Sequence, residues 1–475
     1  MPDSVAVALF TSDLRVHDNP VLWAAVREAD QVVPLFVVDS GVRATGFAVA
    51  NRVAFLADSL AALDAGLRER GGRLVVREGE VVAETCRVAV RTGAATVHLA
   101  AGVSGYAVAR EDRLRRELAA AGVALRVHEA SLNPVPPGAL TPSGKDHYAV
   151  FTPYFRRWRS FAVREVLPAP RRLTVPDAAD GPARVPTRAA LARTLAARGD
   201  LSPALPEGGE TQARRRLRAW LAGPLAAYED GDLSAETTSR LSPYLHFGCL
   251  SPTELLHAVR AAGAGDGADA FVRQLAWRDF HHQVLAARPD AAAHYYRPRH
   301  DPWHHSRAEI EAWRTGRTGY PVVDAAMRQL RHEGWMPGRA RLLTASFLTK
   351  TLYADWRIGA RHFLGLLVDG DLANNQLNWQ WAAGTGTDTR PNRVLNPRVQ
   401  GRRFDRDGTY ARRWLPELRE LDAAAIHRLP DLPADDPSRA ALDYPAPIVA
   451  LDEGAARFRR GRALEQRRGS PPPGR

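Results

Sequence analysis

The sequence predicts an α/β unit with a five-stranded parallel sheet, followed by an all-helical unit. Three observations predict this architecture. At 475 residues, the chain exceeds the usual size of a single hydrophobic core. The first 130 residues alternate short β-branched runs with helical patterns, whereas the pattern is helical with short breaks from about residue 211. Because strand–helix alternation implies right-handed βαβ units, the sheet should be parallel.

The strands and the first long helix follow from local patterns. Residues 5–10, 31–38, 73–77, 95–100 and 124–128 are short apolar runs typical of buried strands. Between the second and third runs, apolar residues recur at a spacing of three and four, at Val53, Leu56, Leu60, Leu63 and Leu67. This spacing predicts a helix over residues 51–70, with Asn51 as its N-cap and Gly71 and Gly72 as its stop.

Shifts in composition divide the remaining chain. Residues 131–205 are rich in Pro, which is typical of a long connector rather than of a third core. The clearest helical patterns after it cover residues 213–227, 252–262, 268–287, 320–333 and 339–352. The domain prediction is therefore an α/β domain over 1–130, a Pro-rich connector over 131–205, a helical domain over 206–460 and a disordered tail over 461–475.

Composition excludes several classes of protein. The chain has no apolar run near the roughly 20 residues that a membrane helix needs, and its N-terminus lacks the pattern of a signal peptide. Cys86 and Cys249 are the only cysteines, which excludes a disulfide framework and any four-cysteine metal site. The histidine pairs at 281–282 and 304–305 are adjacent and diverge on a helix, so they are poor metal ligands. We expect a cytoplasmic monomer with no metal and no membrane partner.

The net charge of +12 is consistent with nucleic-acid binding but indicates it only weakly. Lys occurs only at Lys145 and Lys350, so nearly every basic residue is Arg, and Ala is very abundant. That pattern is as typical of a genome-wide compositional bias as of a binding surface.

The densest group of chemically active residues lies between positions 369 and 381. This stretch brings together acids, amides and indoles, among them Asp369, Asp371, Asn374, Asn375, Trp379 and Trp381. Buried carboxylates and amides are costly unless hydrogen bonds satisfy them. A large ligand that is both polar and aromatic would do so, and we therefore predict a binding pocket here.

Two further stretches belong to the same prediction. Hydroxyl side chains and a guanidinium between 237 and 243 precede a helical pattern, where they could cap the helix or bind phosphate. Gln274, Trp277 and Arg278 share one face of a predicted helix. No Gly-x-Gly-x-x-Gly follows a strand, so any dinucleotide should bind in the helical half.

Taken together, these stretches resemble the DNA photolyase/cryptochrome family, and most closely its class I cyclobutane pyrimidine dimer photolyases. The motifs that carry the resemblance span nearly the whole chain in order: residues 13–20, 238–242, 277–280, 318–328, 335–336, 345–348 and 369–381. The resemblance implies a Rossmann-like antenna domain followed by an all-α domain that binds FAD.

The resemblance also implies roles for individual residues. The implied FAD contacts are Tyr228, Thr238, Ser239, Arg240, Leu241, Ser242, Gln274, Arg278, Arg341, Asp369, Asp371 and Asn375. Arg341 would pair with Asp369, and Asn375 would lie near flavin N5. The implied electron relay is Trp303, Trp356 and Trp379. UV-damaged DNA would be the partner, with its flipped-out lesion near Gln274, Trp277, Arg278, Gly338, Arg339 and Trp381.

The lesion side departs from the family pattern. Gln274 replaces the usual Glu, Pro337 and Gly338 replace the usual His-Asn pair, and Leu342 replaces a common Met. Asp232 falls near a position that is often a DNA-contacting Arg. Two hypotheses therefore stay open: a light-driven lyase that splits cyclobutane dimers, and a cryptochrome-type blue-light receptor with weak or no repair.

A second chromophore is a separate expectation. The family's folate users carry Asn-Glu where this chain has Ala109 and Arg110, which argues against methenyltetrahydrofolate. The expected antenna is 8-hydroxy-5-deazaflavin or none. By resemblance, Arg52 and the loop over residues 38–46 would line its site.

Overall fold

The α/β unit is built as the sequence predicts. The computed structural model describes residues 3–182, 184–228, 233, 237–263, 265–433 and 435–469. Its five strands are β1 (Val5–Phe10), β2 (Gln31–Asp39), β3 (Val75–Gly79), β4 (Thr96–Ala100) and β5 (Ala124–His128). They form one parallel sheet in the order β3-β2-β1-β4-β5. The prediction of a parallel five-stranded sheet is confirmed.

Helices make up most of the remaining described chain. The first ten are α1 (Pro20–Glu28), α2 (Ala50–Arg68), α3 (Val81–Thr92), α4 (Gly105–Ala120), α5 (Phe151–Arg159), α6 (Arg188–Thr194), α7 (Glu210–Leu221), α8 (Ser242–His246), α9 (Pro252–Ala261) and α10 (Asp266–Ala287). The others are α11 (Arg307–Thr315), α12 (Pro321–Glu333), α13 (Gly338–Ser346), α14 (Trp356–Leu366), α15 (Leu372–Ala383), α16 (Pro397–Phe404), α17 (Thr409–Trp414), α18 (Ala423–Arg428), α19 (Pro437–Ala440) and α20 (Leu451–Gly469). A π-helical segment, Phe347–Thr351, follows α13.

Side-chain alternation along β1 explains the layers around the sheet. Ala6, Ala8 and Phe10 belong to one hydrophobic core with α1 and α2, whereas Val5, Val7 and Leu9 belong to a second core with α3 and α4. Because successive side chains of a strand point to opposite faces, one apolar strand supplies both cores. The first core continues into the helical unit through α8, α9 and α10.

Asn51 does not cap α2. The helix starts at Ala50, and its N-cap is Val49, which makes no side-chain cap. Asn51 instead donates from Nδ2 to Leu366 O at 2.6 Å and to Ser202 Oγ at 2.9 Å. The side chain therefore joins the α/β unit to the helical unit, a use that local spacing cannot show.

The connector is more structured than its Pro content indicates. It contains α5 and α6, and the Phe151, Tyr154 and Trp158 side chains of α5 are buried. Trp158 Nε1 donates to Asp279 Oδ2 on α10 at 2.9 Å. One face of α5 is therefore part of the helical core.

The last helix also extends further than predicted. Residues 461–469 continue α20 where the sequence indicated a disordered tail, and residues 470–475 lie outside the described part of the chain. Arg462 pairs with Asp301 at 2.8 Å, and this tertiary contact explains why a polar sequence stays helical. Within the described residues, no helix is both long and apolar enough to cross a membrane.

Candidate functional site

The loop before α15 places two acids in different environments. Asp371 is the N-cap of α15, and its Oδ1 accepts from Asn374 N and Nδ2, both at 2.7 Å. Its Oδ2 lies 3.2 Å from His282 Nε2 on α10. Burial opposes the charged form of Asp371, but His282, His246 and Arg278 outweigh it and hold the pKa of this carboxyl well below its usual range. Asp371 is therefore ionised.

Asp369 is held by a single strong partner. Arg341 Nη2 donates to Asp369 Oδ2 at 2.7 Å, as the sequence resemblance implies, and Arg341 Nε donates to Met336 O at 3.0 Å. Asp369 Oδ1 is buried and has no hydrogen-bond partner among the described residues. This oxygen can accept a hydrogen bond from a ring N–H group of a ligand. We call Asp369, Asp371, His282 and Arg341 the cradle.

Asn375 and its neighbours line the cradle from α15. Asn375 Nδ2 donates to Ala360 O at 3.1 Å and to Gln376 Oε1 at 2.9 Å, so its side chain is fixed. His281 Nδ1 lies 3.0 Å from Asn374 Oδ1, and burial lowers the pKa of His281 to about 4. The adjacent histidines 281 and 282 both reach α15, although sequence reasoning considered them only as metal ligands. Within the described residues, no group of acids, cysteines and histidines could hold a metal ion.

The loop over Thr238, Ser239, Arg240, Leu241 and Ser242 has an unusual backbone. Arg240 has φ 51°, which few non-glycine residues adopt. Its guanidinium forms a two-pronged pair with Glu333, with Nη2 3.0 Å from Oε2, and lies 4.6 Å from the centre of the Trp335 ring. Trp335 Nε1 donates to Ser242 Oγ at 3.0 Å. The side chain of Arg240 thus braces the loop.

Only part of the chain that precedes this loop is described. Tyr228 packs edge-on against Trp220 and Phe271. The stretch that includes Asp232 lies outside the described residues.

The three tryptophans that the resemblance implies as a relay differ in exposure. Trp379 and Trp356 are buried, whereas Trp303 is only partly buried, and its Nε1 donates to Tyr295 OH at 2.9 Å. The Trp379 ring fits because position 359 is Gly, where a Cβ would lie 2.1 Å from Trp379 Cη2. This gradient suits a path from the interior to the surface. Sequence reasoning missed Trp313, a fully buried indole whose ring centroid lies 6.0 Å from that of Trp379.

The predicted lesion residues lie on three helices. Gln274 and Trp277 are on α10, Gly338 and Arg339 start α13, and Trp381 is on α15. Helix α15 packs against both other helices, which brings the three together. A Cβ at Gly338 would meet nothing within 4 Å, so this position borders open space. We call Gln274, Trp277, Gly338, Arg339 and Trp381 the mouth.

Arg278 lies elsewhere than the mouth prediction implies. Its Nη1 donates to Leu132 O at 2.7 Å, and the side chain lines a cavity between the two units together with His282 and Asp371. The structure therefore groups Arg278 with the cradle. Its assignment to the lesion stays a prediction.

The interdomain cavity has a volume of about 350 Å³ and a mostly apolar lining. Arg52 lines it, but its guanidinium donates to four carbonyls, those of Gly46, Phe47, Leu364 and Leu367. Arg52 thus serves mainly to join the two units. Burial lowers its pKa to about 10.

Other polar residues are better placed to bind a ligand in this cavity, and sequence reasoning missed them. Tyr106 donates its hydroxyl to Asp39, and burial lowers the pKa values of Arg110 and, to about 4, of His246. His246 Nε2 and Arg110 Nε are buried without a hydrogen-bond partner in the described chain. The one signal in the sequence was Arg110, which was interpreted above only as evidence against a folate chromophore.

An α/β unit with a parallel sheet closes a largely apolar cavity against a helical unit, and this helical unit also carries the cradle. This combination defines a two-domain protein with sites for large ligands. Two family models match the chain: "DNA photolyase" over residues 6–172 and "FAD binding domain of DNA photolyase" over residues 271–463. The chain belongs to the DNA photolyase family, as the resemblance indicated.

Known relatives match this chain over nearly its full length. The deoxyribodipyrimidine photo-lyase of Streptomyces griseus is 61% identical over 466 residues, which cover 97% of this chain and 100% of that protein. A crystal structure of a class III photolyase from Agrobacterium tumefaciens has a TM-score of 0.84 at 31% identity and covers 98% of both chains. An archaeal photolyase from Sulfolobus tokodaii, solved with two FAD molecules, has a TM-score of 0.80 at 30% identity, with 97% of this chain and 100% of that chain covered.

Proposed function

We propose that this protein is a light-driven DNA repair lyase that uses FAD to split cyclobutane pyrimidine dimers in UV-damaged DNA. The observation that carries the proposal is the cradle, where Arg341 fixes Asp369 and leaves one buried carboxylate oxygen without a partner. Such an oxygen fits the N–H edge of a flavin ring, since buried acceptors are normally satisfied. When bound and reduced, FAD supplies the light-driven electron that opens the dimer.

The protein's own residues would then perform four tasks. The cradle and Asn375 orient the ring, and the loop from Thr238 to Ser242 holds the phosphates. Trp379, Trp356 and Trp303 pass electrons inward from the partly exposed indole to the buried ones. Trp277 and Trp381 flank the lesion after it leaves the duplex, because a paired base cannot reach a buried cofactor.

The test is direct. Reduced holoprotein is mixed with an oligonucleotide that contains a thymine dimer and illuminated with near-UV or blue light, while absorbance in the thymine band is followed. We expect recovery of absorbance that needs light, with none in the dark or with apoprotein. Photoreduction of the bound flavin without any recovery would refute repair and favour a cryptochrome-type receptor.

We also propose that a second chromophore binds in the part of the interdomain cavity lined by Tyr106, Arg110 and His246, with the cradle residues Asp371 and His282 at its border. We propose further that 8-hydroxy-5-deazaflavin fits this site better than methenyltetrahydrofolate. A flat apolar ring system suits its lining, and Arg110, His246 and the Tyr106–Asp39 pair offer polar anchors. Titration of the protein with each chromophore, followed by absorption, compares them. Arg110→Ala should abolish binding, whereas Arg113→Ala, which alters an exposed Arg of the same helix paired with Glu80, should not. Equal binding to wild type and Arg110→Ala would contradict this assignment.

The proposal further includes a cytoplasmic monomer. Sedimentation of the holoprotein, with and without DNA that contains a thymine dimer, measures the mass of the protein. A mass of two protein chains would contradict the monomer.

A further inference from the structure

A stacked pair of rings joins the connector to the mouth. The Phe151 ring, at the start of α5, lies 3.7 Å from the ring centroid of Trp277 with only 5° between the two planes. Aromatic pairs usually prefer offset or edge-on arrangements at centroid distances of about 4.5–7 Å. A parallel stack this close is held by its surroundings rather than by the preference of the pair.

The surroundings form a column. Phe155, one turn further along α5, stacks on Phe151 at 5.5 Å and 15°, and the Arg273 guanidinium lies 5.3 Å from the centre of each of these two rings. Phe280 stands perpendicular to Trp277, with centroids 5.5 Å apart. We call Phe155, Phe151 and Trp277, with Arg273 over the two phenylalanines, the aromatic column.

Hydrogen bonds attach α5 to α10 on both sides of the stack. Before Phe151, Gln283 of α10 clamps the Tyr148 backbone: its Oε1 accepts from Tyr148 N at 3.0 Å, and its Nε2 donates to Tyr148 O at 2.9 Å. After Phe151, Trp158 Nε1 donates to Asp279 Oδ2 at 2.9 Å. Both anchors on α10 are buried. The start of α5 therefore has a fixed distance and orientation relative to Trp277.

We propose that Phe151 is a positioning residue for the lesion: it sets the plane of Trp277 and covers one of its two faces. A ligand can then meet Trp277 only on the opposite face or on its edge. The connector thus contributes to the recognition of damaged DNA. This inference depends on the proposed function in so far as Trp277 contacts the lesion.

Energetic reasoning gives the direction of the effect. A ring that is already immobilised in its binding orientation loses no rotamer freedom when the ligand arrives, so preorganisation raises affinity. Contacts to phosphates do not depend on the plane of Trp277 and also occur with undamaged DNA. Loss of Phe151 should therefore weaken binding of damaged DNA selectively.

The test compares Phe151→Leu, which removes the flat ring but stays apolar, with Phe151→Tyr, which keeps the ring. The matched control is Phe55→Leu, which removes a buried ring of α2 that packs in tilted contact against Tyr244 and Phe247. Holoproteins are titrated with an oligonucleotide containing one thymine dimer and with the same sequence undamaged. Phe151→Leu should lose about tenfold in affinity for the damaged strand, with no change for the undamaged one. Phe151→Tyr and Phe55→Leu should match wild type.

A second measurement reads ring position without repair or DNA. Proteins labelled with 5-fluorotryptophan are compared by fluorine NMR, with Trp277→Phe identifying the Trp277 resonance. Phe151→Leu should shift and broaden that resonance while thermal melting confirms a folded protein. An unchanged resonance, or equal loss of affinity for damaged and undamaged DNA, would overturn the proposal. If wild type does not prefer damaged DNA, the proposed function fails, while the resonance still tests whether Phe151 holds Trp277.

Discussion

The cradle and the mouth lie on the same packed helices but differ in how their polar groups are used. In the cradle, each acid has a fixed partner: Arg341 for Asp369, and His282 with Asn374 for Asp371. The mouth contains the neutral Gln274 and the side-chain-free Gly338, which borders open space. If the cradle holds the cofactor and the mouth admits DNA, as we propose, paired charges fix the site that keeps its ligand. Fewer polar groups then border the site that must release its ligand.

Breaking the cradle should have the largest effect. Arg341→Met leaves Asp369 as a buried charge without its partner, which costs about 3–5 kcal/mol and should abolish flavin binding. Arg341→Lys keeps the charge and should keep part of the binding. Bound flavin is measured by absorbance, and stability by thermal melting. Flavin content equal to wild type in Arg341→Met would show that the ion pair is not part of the cofactor site.

The proposed electron relay can be tested through Gly359, which packs against Trp379. In Gly359→Ala, the new Cβ would overlap the Trp379 ring, so we expect a loss of about 1–3 kcal/mol in unfolding free energy and slower photoreduction of the bound flavin. Gly365→Ala is the control, because it lies on the same helix and its Cβ meets nothing within 4 Å. That variant should be as stable as wild type or more so. Equal photoreduction rates in Gly359→Ala and Gly365→Ala would show that Trp379 does not carry electrons to the flavin.

His281, the neighbour of cradle residue His282, should make stability depend on pH. Burial lowers the pKa of His281 to about 4 from 6.5, so the unfolded state binds more protons between these values. The unfolding free energy should therefore fall as the pH drops below 6.5, by about 2 kcal/mol from this group between pH 7 and pH 5. His281→Gln should flatten that slope in urea melts, whereas the exposed His305→Gln should not. An unchanged slope in His281→Gln would mean that this histidine is not kept neutral by the fold.

At the mouth we expect a smaller change. Gln274→Glu restores a carboxylate that accepts hydrogen bonds only, and turnover of thymine dimers should rise several-fold while flavin content stays constant. Gln274→Ala serves as the control for side-chain loss. Initial repair rates under fixed illumination measure the effect. A lower or unchanged rate in Gln274→Glu would show that the mouth is tuned around Gln.

Much of this architecture was predictable from the sequence because its signals are local. The strands appear as apolar runs, and α10 was predicted over residues 268–287 against the observed Asp266–Ala287. The Arg341–Asp369 pair followed from the family resemblance. In each case, neighbours within a few turns or a motif in a fixed order carry the information.

The remainder depends on contacts between distant segments. Asn51 donates a hydrogen bond to Leu366 O instead of capping its own helix. Arg52 donates hydrogen bonds to backbone carbonyls of both units. Helix α20 continues beyond residue 460, where Arg462 pairs with Asp301. Phe151 stacks on Trp277 across more than a hundred residues. No spacing rule covers such separations in the sequence, so these contacts could not be predicted from local patterns.

A crystal structure of the FAD-loaded protein with duplex DNA containing one thymine dimer tests the division between cradle and mouth most directly. We predict that the flavin ring lies against Asp369 and Asn375, and that the thymine dimer is flipped out of the duplex and lies between Trp277 and Trp381 beside Gly338. A dimer that stays stacked in the duplex, or binds away from these residues, would contradict it.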